Sequence, residues 1–207
     1  MVAGFSVDAT EVSNGQYEAF LAVEFEQEFF DALPAGCEFK TDFTPEDFPN
    51  NPNPDLPVVN VDWCDAYAYC EWAGQELCGA IGGGPNDYSD WIDWNTSQWY
   101  RACTTAGVFE YPYGVLYEPT NCNTEDAQFG GVTEVGAFNS CEGGFPGLFD
   151  MSGNVWEWEN SCNDMGECRR RGGSYFSDAS NSRCGVGSSR EREFRNGNVG
   201  FRCCETL

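Results

Sequence analysis

Twelve cysteines and no histidine in 207 residues constrain this chain more than any other feature. Without an imidazole or a C-x-x-C pair, a zinc–thiolate cage is a poor fit. Thiols in such number belong in disulfides, which form and persist in an oxidising compartment. The 24 glycines, 10 prolines and 15% aromatic content point to a loop-rich chain pinned by cross-links and large rings. The length suffices for one sizeable core, and nothing in the composition divides residues 1–207 into two domains.

The 34 acidic and 10 basic residues leave a formal charge of −24. Such a chain is repelled by phosphate backbones and anionic lipid, so no nucleic-acid partner is expected. No apolar run is long enough for a membrane span, and no secretory leader is visible. The acidic surface is a heavily solvated one, and it is also compatible with a demand for divalent cations.

Local patterns place several elements. Ser13 and Gln16 make a capping box, and Tyr17, Phe20, Leu21 and Phe25 follow at helical spacing. From Leu33 to Pro57 the chain is rich in Pro, Asn and Asp, including the run Phe48 to Pro54, and reads as an ordered surface loop. A second helix starts near Asp62, carries Trp63, Ala66, Tyr67 and Cys70 as its apolar stripe, and stops at Gly74. A third helix is predicted from Thr96, as N-cap, through Cys103. Between them, Gly79–Asn95 holds two exposed-looking tryptophans, Trp91 and Trp94. There is no internal repeat.

The segment Gly147 to Glu159 stands at the centre of these patterns. A loop of Gly, Asp, Ser and Asn runs into Val155-Trp156-Glu157-Trp158, a strand-like alternation of aromatics and carboxylates. Asp150 and Glu157 flank carbonyls that can turn inward, a layout suited to a hard cation. Taken alone, the segment is more simply read as tryptophans filling a core while the carboxylates face water.

Around it lie Asp8 to Asn14, Pro57 to Trp63, Arg171-Gly172-Gly173-Ser174-Tyr175, Ser182-Arg183-Cys184 and Asn198 to Cys203. In this order the blocks closely resemble the formylglycine-generating enzyme (sulfatase-modifying factor) family, from about Phe5 to Cys203. The resemblance implies an α+β variant of the C-type lectin fold, low in regular secondary structure and rich in disulfides. It implies the bridges Cys70–Cys203 and Cys103–Cys184; Cys162–Cys168 and Cys122–Cys141 are expected as local loops, leaving Cys37, Cys64, Cys78 and Cys204 to pair among themselves. The family blocks begin almost at Met1, so a leader is expected to have been cut away or left out of this sequence.

For cofactors the resemblance implies Ca²⁺ held by Asp150, the carbonyls of Gly153 and Val155, and Glu157. A second calcium site would draw on Asn123, Thr124 and Asp126. Formylglycine-generating enzymes oxidise a sulfatase cysteine with molecular oxygen and copper on two thiolates. Soft Cu(I) needs those thiolates, yet this sequence has Ser177 and Ser182 at the matching positions. Ser174 resembles an active-site serine of the family, and Cys184 a structural disulfide cysteine. No copper is therefore expected. The iron chemistry of the related sulfoxide synthases needs histidines, and Ser–His or Cys–His nucleophile pairs are likewise impossible here. Carboxylates are plentiful, but no spacing supports a glycosidase pair.

Two functions remain open. One is a secreted or cell-surface recognition module with an extracellular protein or glycan ligand. Its surface would use Ser174, Ser177, Asp178, Ser180, Asn181, Ser182, Arg190, Arg192, Arg195 and Asn196, small polar residues interspersed with arginines. Variable proteins of diversity-generating retroelements resemble this family and display altered residues in the same C-terminal region. The other is an enzyme of the family with divergent oxidative chemistry.

Overall fold

A computed structural model describes residues 4–46, 48 and 52–207; Pro49, Asn50 and Asn51 of the proline-rich run lie outside them. After strand β1 (Phe5–Val7), the capping box at Ser13 forms: Ser13 Oγ accepts from Gln16 N and Gln16 Oε1 accepts from Ser13 N. It starts α1 (Asn14–Leu21), whose Tyr17 and Phe20 are fully buried. A short helix α2 (Gln27–Asp31) follows. The segment after it is not simply a surface loop. Cys37, Lys40 and Phe43 are buried, and the Phe43 ring sits among Phe20, Phe25, Phe29 and Phe30. Apolar anchors spaced along an irregular chain leave no periodicity to read.

Helix α3 (Trp63–Trp72) is capped by a reciprocal Asp62/Asp65 box, and Gly74 follows its end at φ +76°. Trp63, Ala66 and Cys70 are buried as the stripe predicts, whereas Tyr67 is half-exposed. After β2 (Glu76–Leu77) comes α4 (Gln98–Cys103). Its N-cap is Ser97, whose Oγ accepts from Tyr100 N, and not the expected Thr96, whose hydroxyl turns back to Asp93 O. The inserted tryptophans have cationic partners: Arg169 lies 4.5 Å and Arg171 5.0 Å from the Trp91 ring, and Arg101 5.6 Å from Trp94.

The remaining strands are β3 (Trp156–Cys162), β4 (Glu167–Arg171), β5 (Gly187–Glu191), β6 (Val199–Phe201) and β7 (Cys203–Thr206). One sheet has the order β1–β7–β2, all antiparallel, and the other the order β5–β4–β3–β6, in which β3 and β6 are parallel. Strand β3 lies inside the molecule, so the expected split of aromatics inward and carboxylates outward does not occur. Glu157, Trp158 and Glu159 are all fully buried. Among the described residues no helix is long and apolar enough to cross a membrane.

Six disulfides hold this arrangement: Cys37–Cys64, Cys70–Cys203, Cys78–Cys204, Cys103–Cys184, Cys122–Cys141 and Cys162–Cys168. Three of them tie α3, the segment after β2 and α4 to the C-terminal third of the chain. The rings of Trp63, Trp99 and Trp158 are fully buried between these elements, and each large apolar side chain so placed contributes about 1.5–3 kcal/mol.

Candidate functional site

The segment 147–155 is a tight passage into β3. Asp150, Gly153 and Asn154 adopt φ of +58°, +78° and +51°, a region that short polar residues and glycine tolerate. Gly153 is needed for a second reason, because an added Cβ would overlap the carbonyl of Asn123. Asn154 fixes the passage. Its Nδ2 donates to Glu11 Oε1 at 3.0 Å, its Oδ1 accepts from Asn123 Nδ2 at 3.1 Å and Thr133 N at 2.9 Å, and its backbone N donates to Asn123 O at 2.7 Å.

Beyond it lies a buried charge cluster. Arg202 donates Nε to Glu157 Oε2 at 2.7 Å and Nη2 to Oε1 at 2.8 Å, and Trp99 Nε1 adds a third donor to Oε2 at 2.8 Å. The same guanidinium reaches Asp8 O and Phe149 O, so its donors tie the first strand to the 147–155 passage. Asp150 Oδ2 accepts from Gly136 N at 2.5 Å, while the buried Glu11 Oε2 has no hydrogen-bond partner among the described residues. Three buried carboxylates therefore share one guanidinium. Burial pushes the Asp150 carboxyl up to about 6, against the restraint of Gly136 N and Arg202. Burial, together with Asp150 and Glu157, raises Glu11 well above the usual carboxylate range. Burial works to lower the Arg202 pKa, but Glu157, Glu11 and Asp150 outweigh it and raise it.

This geometry bears on the expected calcium ligands. Asp150, Gly153, Val155 and Glu157 all sit buried at the start of β3. The donor set is hard oxygen, as Ca²⁺ requires, and two negative charges exceed the single guanidinium. Glu157, however, has three of its four or so lone-pair directions taken by Arg202 and Trp99. Among the described residues no group of three or more Asp, Glu, Cys or His side chains is gathered as a metal cage. Glu11 is the member that sequence reading missed; its only signal was an acidic residue directly ahead of the Ser13 capping box.

The side chains of the second expected set are engaged with protein partners. Asn123 and Thr124 are buried, with Asn123 turned toward Asn154 and Gly131 O. Asp126 is exposed and accepts from the Tyr117 hydroxyl at 3.0 Å, which also contacts Thr124 Oγ1.

The expected recognition residues divide into two groups. Ser174 and Ser182 are fully buried and Ser177 is 7% exposed, so they form no rim. Ser177 Oγ accepts from Ser174 N at 2.9 Å, and Ser182 Oγ donates to Asp178 O at 2.7 Å, closing the turn on itself. Asp178, Ser180 and Asn181 are at the surface; Asp178 Oδ1 accepts from both neighbours, and the Ser180 hydroxyl first among them lowers its pKa. Arg195 is no free cation. It pairs with Asp62 at 2.9 Å and Asp65 at 3.0 Å, in a cluster that the buried Lys40 joins. Arg192 lies over the Trp63 ring at 5.1 Å and donates to Ala35 O. Arg190 and Asn196 are exposed. The reason for the shift is burial of opposite charge: Asp62 and Asp65, fixed at the start of α3, draw in the cations that sequence spacing leaves outside.

The profile of the Sulfatase-modifying factor enzyme 1-like domain matches residues 1–207. The chain belongs to this family. A Formylglycine-generating enzyme from Bos taurus is 29% identical over 184 residues, covering 72% of this chain and 44% of that protein. An Inactive C-alpha-formylglycine-generating enzyme 2 from Mus musculus is 30% identical over 170 residues, covering 73% and 50%. The chain thus spans about half the length of these curated relatives. PvdO from Pseudomonas aeruginosa superposes with TM-score 0.65 at 19% identity, covering 98% of this chain and 80% of that one. Treponema denticola variable protein 1 gives TM-score 0.65 at 18% identity, covering 98% and 84%. These likenesses establish the α+β, formylglycine-generating-enzyme-type C-type lectin fold.

On this family domain a groove of about 790 Å³ opens away from the serine turn. It runs between the tip of the β3–β4 hairpin at Asp164 and Met165, the loop at Ala35 and Gly36, and the Trp63–Tyr67 face of α3. Sequence reading gave no indication of it, since its walls come from segments far apart in the chain.

Proposed function

We propose that this domain is a calcium-binding recognition module of an oxidising, extracellular or cell-surface setting, without the cysteine-oxidising activity of formylglycine-generating enzymes. The observation that carries the reading is the chemistry at Ser177 and Ser182. These residues occupy the positions where the family resemblance expects copper thiolates, and their hydroxyls are engaged with Ser174 N and Asp178 O. All twelve cysteines are in disulfides, so none is left as a thiolate to replace them. A hydroxyl is a poor ligand for Cu(I). A family relative named inactive in the mouse is consistent with a fold that outlives the chemistry. The likeness to Treponema denticola variable protein 1 supports recognition at the level of fold, with the exposed residues between Ser177 and Asn196 as the segment that would vary.

Calcium follows from charge. Three buried carboxylates around the single Arg202 guanidinium, with Glu11 Oε2 unpartnered, are costly to leave uncompensated. A cation bound through Asp150 and the carbonyls of Gly153 and Val155, with Glu157 sharing a remaining lone pair, would offset them.

The test has two arms. Incubation with a sulfatase-type cysteine peptide, with and without copper, is expected to give no formylglycine by mass spectrometry. Chelation with EDTA is expected to lower the melting temperature, and added Ca²⁺ to restore it, because a ligand bound only to the native state stabilises by mass action. A formylglycine product overturns the first part. A melting curve indifferent to EDTA overturns the second.

A further inference from the structure

We infer that the groove beside Trp63 and Tyr67 receives an arginine-bearing segment of a partner protein. This rests on the recognition-module reading and supplies that reading with a place and a chemistry. The volume of about 790 Å³ falls within the range of about 300–1,000 Å³ usual for ligand sites. Charge selects the occupant. Glu71, Glu76 and Asp164 line the groove, and none of the three forms an ion pair among the described residues. Glu76 accepts from Gly84 N, Gln98 Nε2 and Thr206 Oγ1, which fix its carboxylate at the wall. Glu71 and Asp164 are exposed. Among the described residues of the lining, the only cation is Arg192.

Arg192 also indicates how a guanidinium is held here. It stacks on the Trp63 ring at 5.1 Å and donates to Ala35 O, and Gly36, at φ +90°, makes room for it because a Cβ there would collide with its Nη1. Tyr67 stacks on the same indole with ring centroids 5.3 Å apart. Glu71 follows one turn along α3, and burial first, then this carboxylate, raises the Tyr67 pKa. The half-exposed Tyr67 ring with Glu71 beside it thus offers an incoming arginine a π-face and a carboxylate together, the combination that favours guanidinium over ammonium. Met165, 80% exposed at the hairpin tip, supplies a soft apolar contact for the side-chain stem. The charge of −24 steers any basic segment toward the protein, and the groove gives it one specific resting place.

The experiment titrates the intact chain with a blocked hexapeptide of arginine and follows tryptophan fluorescence, with a hexapeptide of glutamate as control. Saturable one-to-one binding of the arginine peptide alone, surviving physiological salt, is expected. The double change Glu71→Gln with Asp164→Asn should weaken it about tenfold, two exposed ion pairs being worth up to that much together. Tyr67→Ala should weaken it about threefold or more through the lost cation–π contact. Because Glu71 and Asp164 are surface groups, the double variant keeps its melting temperature. Glu118→Gln with Glu125→Gln removes the same charge from exposed positions outside the groove and should leave affinity unchanged. Equal losses in the two double variants, equal binding of the glutamate peptide, or no saturable binding would each overturn the inference. Failure of the recognition reading itself shows separately, as formylglycine in the cysteine peptide.

Discussion

Arg202 and Glu157 form a two-pronged ion pair, 2.7 and 2.8 Å, with both side chains 0% exposed. The pair joins the residue between β6 and β7 to the start of β3, and Trp99 of α4 seals it with a third hydrogen bond. Taking two charges out of water is expensive, and the geometry recovers that cost only while both partners are present.

Removing one partner should therefore hurt more than removing both. Arg202→Ala leaves Glu157, Glu11 and Asp150 buried without a cation and is expected to destabilise by about 3–5 kcal/mol. The double change Arg202→Met with Glu157→Met should cost less than Arg202→Ala. Urea denaturation of the disulfide-intact proteins reads the difference, and a double variant less stable than the single one would contradict it.

Gly153→Ala is expected to destabilise by about 2–4 kcal/mol, combining left-handed backbone strain with displacement of the Asn123 carbonyl. Gly82→Ala, also at positive φ but with nothing within 4 Å of the added carbon, should cost only the strain, about 1 kcal/mol. Equal thermal shifts in the two variants would show that the contact with Asn123 is unimportant.

The Lys40–Asp62–Asp65–Arg195 cluster gives stability a pH dependence. Burial, followed by the neighbouring Asp62 carboxylate, pushes Asp65 from 3.8 up to about 7, although Lys40 and Arg195 act to lower it. The folded state thus holds a proton that the unfolded chain has released. The contribution is fully present below the unfolded value and is lost as pH rises through about 7. Wild type should lose stability with rising pH over this window more steeply than Asp65→Asn. Parallel pH profiles from urea denaturation would refute the assignment.

Disulfide removal should scale with loop length. Cys70 and Cys203 are 133 residues apart, Cys162 and Cys168 only 6. Chain entropy gives about 5 kcal/mol for the first and about 2 kcal/mol for the second. Replacing each pair by serine and comparing denaturation midpoints tests the ordering; a local bridge that costs more than the long one would reverse it.

Local chemistry by itself determined much of this protein. The Ser13 box, the Asp62 cap with Gly74 beyond it, and the helices they bound depend on side chains reaching backbone groups a few residues away. The ordered blocks from Asp8 to Cys203 likewise carried the family resemblance, and with it the fold and the Cys70–Cys203 and Cys103–Cys184 pairings that the structure contains. What only the tertiary structure decided is where charge went. Glu157 and Asp150 alternate with apolar residues as solvated carboxylates do, yet β3 runs through the interior and Arg202, 45 residues beyond Glu157, comes to meet them. Arg195 looked free in a polar loop until Asp62 and Asp65, more than a hundred residues earlier, drew it in. The groove at Trp63 has walls from five separate segments: 34–36, 63–76, 84–85, 160–166 and Arg192. Burial and charge pairing depend on the sum of surrounding atoms, and that sum is set by which distant segments pack together rather than by any window of sequence.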